Sequence, residues 1–216
     1  MRPTRRQFLR SSAYAATYGA LSHGAEGVPK RSGETLRVGL IGCGGRGTGA
    51  AVNALSADPN VELYAMADLF DGQLQKSLQH LREEVPDKVK VEPGRCYLGF
   101  DAYHKLLATD VDVVLLATPP GFRPSHLRAA VEAGKHSFVE ITIAIDAPGV
   151  RSALESAELA AKRNIAIVSG FCWRYQSGMR AAAERIRAGA IGDVRAIYAS
   201  FYRGDGVDGI DGATPV

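Results

Sequence analysis

Six residues, Gly42-Cys43-Gly44-Gly45-Arg46-Gly47, constrain this chain more than any other feature. They satisfy G-x-G-x-x-G, a pattern that has force only through its flanks. Before it, Leu36-Arg37-Val38-Gly39-Leu40-Ile41 is a short apolar run rich in branched residues and reads as a buried parallel strand. After it, Thr48 to Ala57 reads as a helix of small residues. Strand, glycine turn and helix in this order open a dinucleotide-binding unit. In such a unit Gly42 permits the tight turn, Gly44 lets the backbone approach a pyrophosphate, and Gly47 lets the helix pack against the strand. Gly45 and Arg46 belong to the same phosphate-facing turn, where N–H groups at the helix start are free to bind anions.

A second strand is predicted over Val61 to Ala67 and ends at Asp68, 21 residues beyond Gly47. That is where the fingerprint places a carboxylate for the adenosine ribose hydroxyls. Asp68 would repel a 2′-phosphate, and Leu69 and Phe70 supply no cation to neutralise one, so NAD is favoured over NADP. The structural alternative for Asp68 is a cap for a helix over Gly72 to Glu84.

Strand and helix then alternate. A third strand is expected over Arg95 to Phe100, with Asp101 capping a helix through Ala108. Val111 to Ala117 is almost continuously apolar, a central strand stopped by Thr118-Pro119-Pro120. A helix over Ser125 to Ala133 is closed by Gly134, and His136 to Glu140 is the fifth strand. Asp146 with Pro148 starts a long helix through Arg163. Ile165 to Ser169 is the sixth strand. Right-handed crossovers give an α/β doubly wound parallel sheet, the Rossmann fold, in the order 3-2-1-4-5-6. Beyond Phe171-Cys172-Trp173-Arg174-Tyr175, a helix is predicted over Ser177 to Ala188, closed by Gly189. Val194 to Tyr202 alternates apolar and polar, which predicts a strand of a different, half-solvated layer. Three domains are therefore expected: a leader over 1–33, the dinucleotide-binding domain over 34–175, and the start of a second α+β domain over 176–216.

Charge separates the leader from the rest. Residues 1–33 carry a balance of +5, whereas residues 34–216 carry −2. No basic stripe points to nucleic acid. Thr4-Arg5-Arg6-Gln7-Phe8-Leu9-Arg10 resembles the twin-arginine export signal, followed by about twelve uncharged residues, too few to span a bilayer. A periplasmic location follows as an expectation, with cleavage near Ala20-Leu21-Ser22 or near Ala25. The three cysteines, Cys43, Cys96 and Cys172, are too few and scattered for a disulfide framework or a metal cluster. Cys43 and Cys172 are expected to pack rather than react. Asp205, Asp208 and Asp211 lack the alternate-residue spacing of a calcium loop.

Taken together, V-G-L-I-G-C-G-G-R-G-T-G-A, the A-D after the second strand, L-L-A-T-P-P-x-x-R-P-x-H, A-G-K-H, C-W-R-Y and G-A-I-G-D resemble the Gfo/Idh/MocA family over about residues 34–204. The resemblance implies NAD(P)-dependent chemistry on sugars or polyols, and a second, mostly antiparallel domain for substrate contacts and oligomerisation. It implies that Thr118, Pro119 and His126 lie along the cofactor, and that Glu140 and Arg174 face its nicotinamide end. For His126 the alternative is a local hydrogen bond in the first turn of its helix. For Trp173 and Tyr175 the alternative is packing.

Two departures qualify that implication. The family's Glu-Lys-Pro reads Glu140-Ile141-Thr142 here, and isoleucine cannot accept the hydroxyl proton that the family's lysine handles. About 40 residues follow Tyr175, far fewer than the family's substrate domain. Three readings follow: an NAD-linked sugar or polyol oxidoreductase, an NAD-dependent glycosidase on the same fold, and a non-catalytic, truncated NAD-binding remnant. The catalytic residues and the oligomeric state stay open.

Overall fold

The computed structural model describes residues 35–200. The expected export leader over 1–33 and the aspartate-rich tail lie outside the described residues. Six parallel strands form one sheet in the order β3-β2-β1-β4-β5-β6, as the alternation predicts: β1 Leu36–Ile41, β2 Val61–Asp68, β3 Cys96–Leu98, β4 Val113–Leu116, β5 His136–Val139 and β6 Ile167–Ser169. Seven α-helices accompany them among the described residues: α1 Gly45–Ala57, α2 Asp71–Glu84, α3 Ala102–Leu107, α4 Arg123–Glu132, α5 Ala147–Lys162, α6 Cys172–Tyr175 and α7 Ser177–Arg187.

Strand alternation divides the core between the two faces of the sheet. Val38, Leu40, Met66 and Leu115 meet α1 and α2 through Ala51, Leu55, Leu74 and Leu81. Ile41, Ala67, Val114, Leu116 and Val139 meet α3, α4 and α5 through Leu106, Leu127, Val131 and Ala160. A register shift between Val38 and Gly39 puts Tyr64 in as an extra residue of β2, so Leu63 and Met66 share one face although they are three apart. The order places β1 and β4 side by side with their helices on opposite faces. The crevice at that switch point, above the carboxyl ends of the strands, is where an open α/β sheet binds its ligand.

Boundaries differ from the sequence reading in instructive ways. α1 begins at Gly45 rather than Thr48, because the glycine turn runs directly into the helix from its N-cap, Gly44. Asp146 caps α5 as predicted, its Oδ1 accepting from Gly149 N at 2.7 Å. Asp101 stands at the N-cap of α3 but its side chain makes no capping bond; its carbonyl accepts from His104 N instead.

The predicted strand over Val194 to Tyr202 does not form in its described part, 194–200. A strand needs a neighbour for its N–H and C=O groups, and no ladder partner lies beside it among the described residues. Ile197 and Tyr198 stand in solvent instead. No described helix is long and apolar enough to cross a membrane.

Candidate functional site

The glycines of the turn separate into two kinds. Gly42 adopts φ +96°, and a Cβ there would stand 2.7 Å from Thr118 N and 2.8 Å from the Ala117 carbonyl carbon. A Cβ on Gly47 would overlap Gly42 O outright. These two glycines are demanded by the packing of β1, β4 and α1. Gly44 and Gly45 are different: a Cβ on either would meet nothing within 4 Å. Their small size serves no protein contact and leaves room above the turn. The first-turn amides of Gly45, Arg46 and Gly47 come before Thr48 N, the first amide to find a helical acceptor (Gly44 O at 2.9 Å), and so have no intrahelical partner of their own. Thr48 Oγ1 braces the turn from beneath, 3.0 Å from Gly44 O and 2.7 Å from Ser77 Oγ of α2.

Asp68 ends β2 beside this turn. Its Oδ2 accepts from Cys43 N at 2.6 Å and its Oδ1 from Phe70 N at 2.9 Å. The cap alternative fails, because α2 starts after Phe70 and has no side-chain cap. Two acceptor positions are used and a half-buried carboxylate keeps others for hydroxyl donors. Cys43 is buried, with Sγ 3.5 Å from Ala67 O, and burial pushes its thiol well above the usual range. It is packing, as expected. Cys172 is not; it is exposed at the start of α6.

On the far side of the switch point, Thr118 and Pro119 follow β4. Thr118 Oγ1 lies 3.1 Å from Nδ1 of His126, whose ring also packs against Tyr103 at 4.2 Å between centroids. Desolvation, with a smaller contribution from the charge of His104, lowers the pKa of His126 to about 4. The imidazole is therefore neutral at physiological pH, and its hydrogen bond runs back to the segment after β4 rather than within the first turn of its own helix. Pro119 is exposed at the rim.

Glu140, just after β5, is 5% exposed. Arg46 crosses from the glycine turn to form an ion pair with its Oε1. The pair links the turn after β1 with the end of β5, over the end of the intervening β4. Arg123 at the start of α4 is also buried and donates from Nη1 to Thr142 O. A Cβ on Gly170 would stand 2.9–3.0 Å from the Glu140 carboxylate, so a side chain there would require the carboxylate to shift. Ile141 is 46% exposed, and nothing titratable takes the lysine's place at that position. Arg174 is exposed, its guanidinium over the Phe171 ring at 5.7 Å; Trp173 and Tyr175 are exposed as well.

Arg123 is the arginine of L-L-A-T-P-P-x-x-R-P-x-H but received no role of its own from sequence, and Gly170 was not singled out. Arg123 carried a weak signal, a cation in the first turn of a helix, where the macrodipole disfavours it. Gly170 carried none, since its neighbour is 30 residues away in sequence.

A family model described as "Oxidoreductase family, NAD-binding Rossmann fold" matches residues 36–171. Glycosyl hydrolase family 109 protein 2 of Shewanella sp. strain ANA-3 is 31% identical over 208 residues, 88% of this chain and 44% of that protein. A dTDP-3,4-didehydro-2,6-dideoxy-alpha-D-glucose 3-reductase of Streptomyces violaceoruber is 29% identical over 77% of this chain and 44% of its own length. The chain thus spans less than half the length of these curated relatives. Among solved structures, the 3-ketoreductase KijD10 of Actinomadura kijaniata, in complex with TDP-benzene and NADP, superposes with a TM-score of 0.58 at 26% identity, over 75% of this chain and 46% of the other. The scyllo-inositol dehydrogenase of Lactobacillus casei, with NAD(H) and scyllo-inositol bound, superposes with a TM-score of 0.58 at 23% identity, over 74% and 43%; that likeness is one of fold.

Proposed function

The chain belongs to the Gfo/Idh/MocA oxidoreductase family, with its NAD(P)-binding Rossmann domain, and we propose that it holds NAD for oxidoreduction of a sugar or polyol. The observation that carries this reading is the open space above Gly44 and Gly45, bordered by first-turn amides, Arg46 and Asp68. The donor set fits a dinucleotide. The amides and Arg46 would bind the two phosphates, and the remaining acceptors of Asp68 would bind ribose hydroxyls. The same carboxylate, with no cation at Leu69 or Phe70, disfavours a 2′-phosphate. Thr118, Pro119, His126, Glu140 and Arg174 are assigned to the nicotinamide half.

When bound, the nicotinamide supplies hydride acceptance or donation. The chain's own residues bind and orient. Among the described residues, the position of the family's lysine offers no proton acceptor: Ile141 has no titratable group, Thr142 has no usable pKa, and Nδ1 of His126 lies within hydrogen-bond distance of Thr118 Oγ1. Loss of a positioned acid–base group costs about 10²–10⁴ in rate. Binding is therefore expected to be strong relative to turnover. Titrating NADH fluorescence tests binding, and reduction of NAD with a panel of sugars and polyols tests turnover; a chain that quenches no NADH fluorescence removes the reading.

One observation favours a second reading. The glycosyl hydrolase family 109 relative of Shewanella sp. strain ANA-3 matches along 88% of the chain. An NAD-dependent glycosidase would release an aryl leaving group from glycosides with no net NADH formed. Export through the twin-arginine route is proposed alongside either reading, on the Thr4–Arg10 motif; fusing residues 1–33 to a reporter and following its periplasmic delivery tests it.

A further inference from the structure

The two ends of the Arg46–Glu140 ion pair differ in character. The Glu140 side chain is 7% exposed, and its Oε1 is buried and takes no aligned hydrogen bond. Among the described residues its ion-pair partner is Arg46, which reaches it through Nη2. The Arg46 side chain is 49% exposed. One end of the pair is thus fixed in the protein and the other stands in the crevice. An arginine this exposed ordinarily samples many rotamers. Contact with a buried carboxylate restricts it to few. The Glu140 charge also offsets the adverse position of a cation in the first turn of α1.

A guanidinium carries five N–H donors on a rigid plane. The pair uses Nη2, which leaves Nε and Nη1 for a second acceptor. A phosphate at the glycine turn could take Arg46 in two ways, by pulling it off Glu140 or by sharing it. Pulling it off strands a buried carboxylate, a larger loss than one charge-assisted hydrogen bond returns. Sharing keeps both contacts. We propose that Glu140 is a positioning residue for the phosphate end of the cofactor: it holds Arg46 by one edge, so that the other edge is set for a phosphate before the ligand arrives. This role rests on the dinucleotide reading of the groove and deepens it.

The test uses ADP-ribose, which has both phosphates and both riboses of the dinucleotide but no nicotinamide, beside NADH. Dissociation constants are measured by isothermal titration on the full chain for the wild type, Arg46→Met, Arg46→Lys, Glu140→Gln and the pair Arg46→Met with Glu140→Gln. Arg46→Met is expected to raise the Kd of ADP-ribose about tenfold or more. Glu140→Gln, which leaves Arg46 present but unheld, is expected to raise it about fivefold. Arg46→Lys keeps the charge but not two separate edges, and is expected to raise it about fivefold as well. Once Arg46 is Met, Glu140→Gln should add no further loss. A loss from Glu140→Gln that is the same with and without Arg46 overturns the proposal and leaves Glu140 a merely structural role. Weakened NADH with unchanged ADP-ribose overturns it by confining Glu140 to the nicotinamide end. Tighter ADP-ribose binding by Glu140→Gln overturns it by making Glu140 a competitor for Arg46. If Glu140→Gln does not fold, Glu140→Asp, which draws the carboxylate back from Arg46, takes its place with the same expectations. A wild type that binds NADH but not ADP-ribose overturns the proposal alone, whereas one that binds neither removes the dinucleotide reading and the proposal with it.

Discussion

Oδ2 of Asp68 accepts a hydrogen bond from the backbone N–H of Cys43 at 2.6 Å, so the carboxylate proposed to bind the ribose also fastens the glycine turn to the end of β2. On that proposal, binding and folding share one side chain. Asp68→Ala removes the acceptor of two backbone donors, Cys43 N and Phe70 N, and should cost on the order of 1–3 kcal/mol in thermal or denaturant unfolding. The same variant should weaken NADH binding more than NADPH binding, because it deletes both the ribose acceptor and the charge that repels a 2′-phosphate. Parallel fluorescence titrations with the two dinucleotides check this; an unchanged ratio of affinities would assign Asp68 to the turn alone.

The two kinds of glycine should separate stability from binding. Gly47→Ala forces a Cβ into Gly42 O, where backbone must move, and should cost more than about 3 kcal/mol or prevent folding. Gly44 has φ −66° and open space around its Cβ position, so Gly44→Ala should leave the unfolding midpoint within about 0.5 kcal/mol of wild type. That methyl would stand where a pyrophosphate must approach, and NADH affinity should fall more than tenfold. Equal losses of stability in the two variants would contradict this division.

Sheet order and the phosphate turn were legible because they rest on local signals: glycines at fixed offsets, apolar runs of strand length and an acid at the end of β2. The helix cap at Asp146 was legible for the same reason. What escaped was set by contacts distant in sequence. Glu140 pairs with Arg46 and lies against Gly170, which come from two other segments, and no periodicity records their meeting. The run Val194–Tyr202 failed oppositely: its alternation is a valid strand pattern, but a pattern specifies a face and not a partner. Cys172 was misread as packing because the short helix after β6 turns it outward.

Thiol chemistry should follow burial rather than proximity to the turn. Cys43 lies in the phosphate loop but is buried, with desolvation and the Asp68 carboxylate both disfavouring its thiolate. Cys96 is half-buried and its thiol is also raised, mainly by desolvation. Treating the native chain with iodoacetamide at neutral pH should modify Cys172 first and Cys43 last, read by peptide mass mapping. Rapid labelling of Cys43 would mean that the turn opens in solution.

His126 gives the fold a pH dependence whose sign follows from its burial. Its pKa falls from 6.5 when unfolded to about 4 in the folded chain. Between those values the unfolded chain binds a proton that the folded chain refuses, so stability rises with pH across this window. The contribution is complete above about pH 6.5 and lost as pH falls through 4, an integrated effect of about 3 kcal/mol. His126→Asn keeps a polar group near Thr118 Oγ1 but does not titrate. It should lower stability at pH 7 through imperfect packing against Tyr103, and it should flatten the slope between pH 6.5 and 4.5. Denaturant unfolding at several pH values reads both effects. A variant that keeps the wild-type slope would place the titration on another group, and proton NMR of the His126 ring would then show an unshifted midpoint near 6.5.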